Sequence, residues 1–179
     1  GTEAVYGVEQ ATKMYGVIQP VEQSRIVIAG DEQWFELNGR KLQALYTEGH
    51  ALHHYCLNDP VSRGVFTGDS FGVSYRELDT AAGEIIYPTT TPTHFDPAAA
   101  HVAVDRIMAC KPKQLYLTHY SRVRDLDRLA KDMHTGIDAY AAIALAHKDA
   151  EDLYAAILPP MSEYMKRRAR EHGFDGDAK

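Results

Sequence analysis

Cysteine is scarce in this chain: Cys56 and Cys110 are the two among 179 residues, and they form no Cys-x-x-Cys pair. Each lies in an apolar stretch, which predicts buried free thiols in a reducing compartment. Positive charge is short as well, with 19 Lys and Arg against 25 Asp and Glu and a net charge of -6. Proteins that bind nucleic acid present a basic face to the phosphates, so a polyanionic partner is not expected. The one basic cluster, Lys166-Arg167-Arg168 with Arg170, reads as a solvated helix face. No stretch approaches the roughly 18 consecutive apolar residues of a membrane span, and no charged leader followed by an apolar core opens the chain. A cytoplasmic location is expected. What is present is ordinary for a globular domain: 45% hydrophobic and 25% charged residues, in a length that can bury one real core.

The pattern along the chain is mixed. Glu3 to Tyr15 carries apolar residues at helical spacing, weakened by Gly7. Arg25-Ile26-Val27-Ile28 reads as a strand. Gln33 to Leu37 and Lys41 to Tyr46 flank Asn38-Gly39, a dipeptide suited to positive φ, and predict a hairpin. Short strands are expected at His54 to Leu57 and Gly64 to Thr67, around a turn at Asn58-Asp59-Pro60. Residues 70–93 form a long irregular stretch rich in Gly, Thr and Pro. Asp96-Pro97 is an N-cap followed by the residue favoured at the first helical position, so a helix runs from Pro97 to about Cys110. Lys113 to Leu117 is a strand, and from Arg122 onward the chain reads as helix, with further helices over Asp149 to Ile157 and Met161 to His172 split by Pro159-Pro160.

Three segments each end an apolar stretch with a residue able to bind a metal: Thr47-Glu48-Gly49-His50, Phe66-Thr67-Gly68-Asp69 and Leu117-Thr118-His119. Two imidazoles and a carboxylate gathered from strand ends are the donor types a zinc or iron centre uses. Each segment alone is a common structural turn; the set, in this order and with a helix and strand between the second and third, carries the signal. Histidine is plentiful, with nine in the chain. No two of them are separated by a single residue.

In order and wording the three segments resemble the second half of a metallo-β-lactamase-fold hydrolase, in which a Thr-x-Gly-His loop, a Thr-Gly-Asp turn and a late strand-end His supply ligands. The first-half signature of that family, His-x-His-x-Asp-His, does not occur here, and the chain begins with Gly, so it reads as a piece of a longer enzyme. The resemblance implies an α/β fold: the C-terminal part of an αββα sandwich over residues 1–120, a helical C-terminal extension over 121–173 and a disordered tail over 174–179. It implies His50 as the third imidazole of one metal, Asp69 as the carboxylate bridging two, and His119 as an imidazole on the second. His54 falls where many relatives repeat Gly-His and would orient a ligand or the backbone; His53 is expected at the surface. Tyr120 would offer a hydroxyl to a developing oxyanion or else be a core aromatic. Tyr75, Tyr87, His94 and Phe95 either line a substrate pocket or pack the loop onto the sheet.

The activity implied is hydrolysis of an ester, lactone, thioester or related bond in a small-molecule substrate. The cofactor would be a pair of zinc ions, with iron or manganese as alternatives, and a water made acidic enough to attack at neutral pH. Two other readings stand beside it. One is an iron-dependent redox member of the same fold. The other is a catalytically silent module, because each metal would keep only two protein donors. An uncovered sheet edge or face invites pairing, so a homo-oligomer, or association with the missing N-terminal half, is expected.

Overall fold

The computed structural model describes residues 4, 6–17, 19–91, 94–119 and 121–176. Its centre is one sheet whose strands lie in chain order: β1 (Trp34–Leu37), β2 (Arg40–Tyr46), β3 (Tyr55–Asp59), β4 (Gly64–Gly68), β5 (Gln114–Leu117) and β6 (Ser121–Val123). The β1–β2 hairpin turns at Asn38 and Gly39 with φ of 51° and 80°. Positive φ at both central positions matches the right-handed twist of the flanking strands, as the dipeptide predicts. Every pairing is antiparallel except β4 with β5, which is parallel. A parallel pair needs a crossover, and the chain supplies it with helix α2 (Pro97–Ala109). Asp96 caps that helix, its Oδ1 accepting from Ala99 N at 3.0 Å. The remaining helices are α1 (Val8–Tyr15), α3 (Leu126–Ala146) and α4 (Leu153–Glu171).

Alternation along the strands decides which face is buried. Leu45, Cys56, Val65, Leu115 and Val123 point to one side and pack against Val104 and Ile107 of α2 and Leu126, Leu129, Met133 and Ile137 of α3. Each such side chain contributes about 1.5–3 kcal/mol on leaving water. Tyr46, opposite Tyr55, and Leu57, aligned with Phe66 and Tyr116, occupy the other face. There Tyr46, Tyr55 and Phe66 stay 43%, 50% and 44% exposed. The sheet therefore has one sealed face and one aromatic face open to solvent. Residues 70–91 form the expected irregular segment, pinned by a bridge between Val73 and Tyr87 and packed through Val73, Ile85 and Tyr87 against Met165 of α4.

Several expectations are corrected. Arg25 to Ile28 is not a strand: a 3-10 turn covers Gln23–Arg25, and Ile26, Val27 and Ile28 are 55%, 77% and 88% exposed. β-branched residues favour a strand only where a neighbouring strand accepts the backbone hydrogen bonds, and among the described residues none is paired there. Within the helix expected over Glu3 to Tyr15, Ala4 and Tyr6 are helical, Gly7 interrupts at φ 77° and Val8–Tyr15 follows, while Glu3 and Val5 lie outside the described residues. The chain after residue 120 does not go straight into helix; Ser121–Val123 pairs with β5 and buries Val123 fully before α3 begins. The Pro159-Pro160 break is absent, and α4 runs through both prolines. Their missing N–H groups forfeit bonds to Ala155 O and Ala156 O, a loss of about 3 kcal/mol or more. Tyr164 edge-on to Tyr140 and Arg168 bonded to Asp132 at 2.7 Å anchor the second half. Cys56 is fully buried as expected, while Cys110 is partly exposed.

Candidate metal centre

Strand direction explains why three distant segments meet. β2 and β4 are both antiparallel to β3, and β5 is parallel to β4, so β2, β4 and β5 all run the same way. Their C-terminal ends share one edge of the sheet. His50 follows β2, Asp69 follows β4 directly, and His119 lies two residues beyond β5. Carboxyl ends of parallel-running strands are where open α/β sheets place their ligands.

The loop after β2 is shaped by close packing. Gly49 has φ 121°, and a Cβ there would sit 2.4 Å from Ala100 N at the start of α2. Its carbonyl accepts from Asp96 N at 2.9 Å, which fastens the loop to that helix end. Thr91 donates its hydroxyl to His50 O at 2.6 Å. Thr89 donates to Asp69 O at 2.8 Å, and the same oxygen lies 3.1 Å from His50 Nδ1. Because the Thr89 proton is committed to the carbonyl, the hydroxyl accepts from His50 Nδ1–H. The Nε2 of His50 is then the unprotonated atom, and it is the one that faces Asp69.

Asp69 sits between the two imidazoles. His50 Nε2 lies 3.6 Å from Oδ2, and His119 Nε2 lies 3.4 Å from Oδ1. Those distances exceed a normal hydrogen bond. They match the spacing of about 3.4 Å between two donors that share one ion at 2.0–2.2 Å in tetrahedral geometry. Asp69 Oδ1 is buried and accepts no hydrogen bond among the described residues. A buried carboxylate oxygen without a partner is costly, and an unprotonated Nε2 facing a carboxylate calls for a cation. One imidazole thus faces each oxygen of Asp69, and these are donor types that a zinc or iron ion accepts. Among the described residues no three His, Cys, Asp or Glu side chains converge on a single ion. His50 is the sheltered ligand candidate and His119 the open one, with side chains 15% and 55% exposed.

His54 lies behind this group, its ring 5.6 Å from that of His50. Its Nε2 accepts from Asp69 N at 2.9 Å. That assigns the proton to Nδ1, which faces Ser70 Oγ at 2.8 Å. Ser70 in turn donates to Thr47 O at 2.9 Å, and Cys56 Sγ donates to Thr67 O. Burial, and after it the neighbouring His50 ring, hold the His54 imidazole below the ordinary histidine range. His54 thus stays neutral and fixes the backbone from which Asp69 projects.

The structure brings together His50, Asp69, His119 and His54. The surroundings of the remaining sequence candidates differ. Phe95 packs against the main core. Tyr87 is 2% exposed and donates its hydroxyl to Met165 O at 3.0 Å. Tyr75 is half-exposed and neighbours Tyr140 of α3. His94 is exposed in the turn leading to α2, and His53 is exposed in the loop after His50. Tyr120 lies outside the described residues. Sequence reading missed Thr89 and Thr91, which clamp His50, and the Ser70–Thr47 pair behind His54. The run Thr89-Thr90-Thr91 was visible, but hydroxyls in a loop have no spacing rule that marks a clamp.

No family model matches the chain. It is 28% identical over 104 residues to the metallo-β-lactamase fold-containing protein of Sulfurisphaera tokodaii, a match covering 58% of this chain and 36% of that protein. The crystal structure of an archaeal metallo-β-lactamase superfamily protein from Sulfolobus tokodaii superposes with a TM-score of 0.56 at 25% identity, over 94% of this chain and 60% of that one. A β-lactamase domain protein from Burkholderia ambifaria gives 0.59 at 17% identity, over 93% and 49% respectively. The chain thus spans less than two thirds of the length of each of these relatives. Sheet order, crossover and these superpositions agree that the described chain has the fold of the metallo-β-lactamase superfamily.

Proposed function

We propose that this chain is the C-terminal portion of a metal-dependent hydrolase, with His50, Asp69 and His119 holding part of a two-metal centre. One observation carries the reading: the Asp69 carboxylate lies between two imidazoles with one oxygen toward each, and its Oδ1 is buried without a hydrogen-bond donor among the described residues. Zinc suits imidazole and carboxylate donors, and iron or manganese would be accepted by the same set. Bound there, the metals would supply a water acidic enough to act as nucleophile near neutral pH and would polarise a substrate carbonyl or phosphoryl oxygen. The residues of the chain do the positioning. Asp69 holds both positions at a fixed separation, Thr89 keeps Nε2 of His50 as its unprotonated nitrogen, and His54 fixes the Asp69 backbone. Esters, lactones and thioesters are the substrate class proposed.

A second reading concerns the chain by itself. Each metal position has two donors here, and four is the usual count for zinc. The isolated chain is then a weak metal binder without turnover. Metal analysis and hydrolysis assays separate the two readings, run on this chain and on a longer product of the same coding sequence, with Asp69→Ala in each. The longer protein is expected to bind two metals and hydrolyse a thioester or lactone, and Asp69→Ala to lower both metal content and rate by at least ~100-fold in affinity and turnover. A longer protein that stays metal-free, or one whose metal content is indifferent to Asp69, would overturn the proposal.

A further inference from the structure

Away from the metal centre, α2 and α3 are joined by a chain of four side chains. His101 of α2 and His134 of α3 face each other with Nδ1 atoms 2.6 Å apart. Behind them, His101 Nε2 lies 2.9 Å from Asp138 Oδ1, and His134 Nε2 lies 3.1 Å from Asp105 Oδ1. The rings are coplanar to 9° with centroids 4.9 Å apart. The two ring radii and the gap between the nitrogens together span that separation, so the rings meet edge to edge and the nitrogens point straight at each other.

Counting protons makes the arrangement informative. An ionised carboxylate only accepts, so each Nε2 must carry hydrogen. Two neutral imidazoles have then spent both their protons, and each presents a lone pair at Nδ1. Two lone pairs aimed at each other across 2.6 Å repel unless a cation lies between them. A metal ion on that line would require the nitrogens to stand about 4 Å apart, at 2.0–2.1 Å per bond. A proton fits the observed gap. Asp105 on α2 and Asp138 on α3 are the charged groups facing the pair, and both favour a positive charge there.

We propose that His101 and His134 share one proton and act as a pH-dependent clamp between α2 and α3. One proton from solvent adds to Nδ1 of one ring, whose new N–H donates to Nδ1 of the other, and the net charge of the four groups goes from -2 to -1. Because the clamp takes up one proton that the open pair lacks, the contact between the helices strengthens as pH falls and weakens as it rises. The contact matters to the fold because α2 begins against Gly49, beside the loop that carries His50. The inference stands on geometry apart from the metal centre and does not depend on the proposed function.

The test is a pH series of chemical unfolding with EDTA present, on the chain and on His101→Gln, His134→Gln and the double variant. From pH 6 to pH 9 the unfolding constant of the wild type is expected to rise about tenfold more than that of either single variant, as for loss of one charge-assisted hydrogen bond. The double variant is expected to lose no more pH dependence than one single variant, because one proton is shared. Nitrogen-15 NMR of the histidines in the intact chain should show two coupled Nδ1 signals at pH 6 that separate into two neutral rings by pH 9. Single variants with wild-type pH dependence, losses that add in the double variant, or two uncoupled neutral rings at pH 6 would each overturn the proposal. Stabilisation by added zinc that requires both histidines would overturn it too, by making the bridging cation a metal.

Discussion

The geometry around Asp69 depends on residues outside the candidate ligand set. Thr89 decides which nitrogen of His50 is unprotonated by accepting from Nδ1–H. Thr89→Val removes that acceptor while keeping the shape, and the metal affinity of the assembled protein is expected to fall by about 10–100-fold, as titration with a metal indicator would read. Gly49→Ala places a methyl group 2.4 Å from the Ala100 backbone at a φ of 121°. A loss of about 2 kcal/mol or more in denaturant-measured stability is expected, since backbone must move to admit it. At this scale the sequence was legible where chemistry is rare. His50, Asp69 and His119 carry unusual side chains after short apolar stretches, and they do meet. Threonine and serine serve so many turns that the clamps around them leave no trace in a single sequence.

Among the elements, the β2–β3–β4 meander rests on one buried charge at its far end. Asp59 has no exposed side-chain surface, and it is gripped by the Arg40 guanidinium, by Ser62 Oγ at 2.6 Å and by Val61 N at 3.1 Å. Arg40, with Ser62 assisting, holds its carboxyl down at about 2. The unfolded chain titrates near 3.9, so the folded form is the weaker proton binder between these values. The contribution of this group to stability is complete above about pH 4 and is lost as pH falls through about 2. Asp59→Asn is expected to be less stable at pH 7 and to show a flatter acid limb, measured by circular dichroism over pH 5 to 2. Elements were readable where local rules act alone, as in the Asn38-Gly39 hairpin and the Asp96-Pro97 helix start. β6 was hidden because three residues with one apolar position, Val123, give no periodicity. The unbroken α4 was hidden because Tyr140 and Asp132, far away in sequence, offset a local proline cost.

For the molecule as a whole, the two faces of the sheet have different fates. One is sealed by α2 and α3, while Tyr46, Tyr55 and Phe66 leave the other partly wet. Exposed apolar patches of this kind bind dyes and other proteins. The chain is expected to enhance the fluorescence of an apolar-surface dye, and Phe66→Lys to cut that signal by about half without lowering the melting temperature by more than ~5 °C. An unchanged signal would place the exposed apolar surface elsewhere, for instance on Val27 and Ile28. Strand order has a temporal meaning too. Every strand pairs with its neighbour in sequence, so the sheet can grow as a zipper from the Asn38-Gly39 turn, and contacts close in sequence are the quick ones to form. The exception is the join between β4 and β5, which must wait for the whole span from Asp69 to Lys113 to be looped out and for α2 to condense. That closure is the expected bottleneck of folding, and it is the event that carries His119 to Asp69.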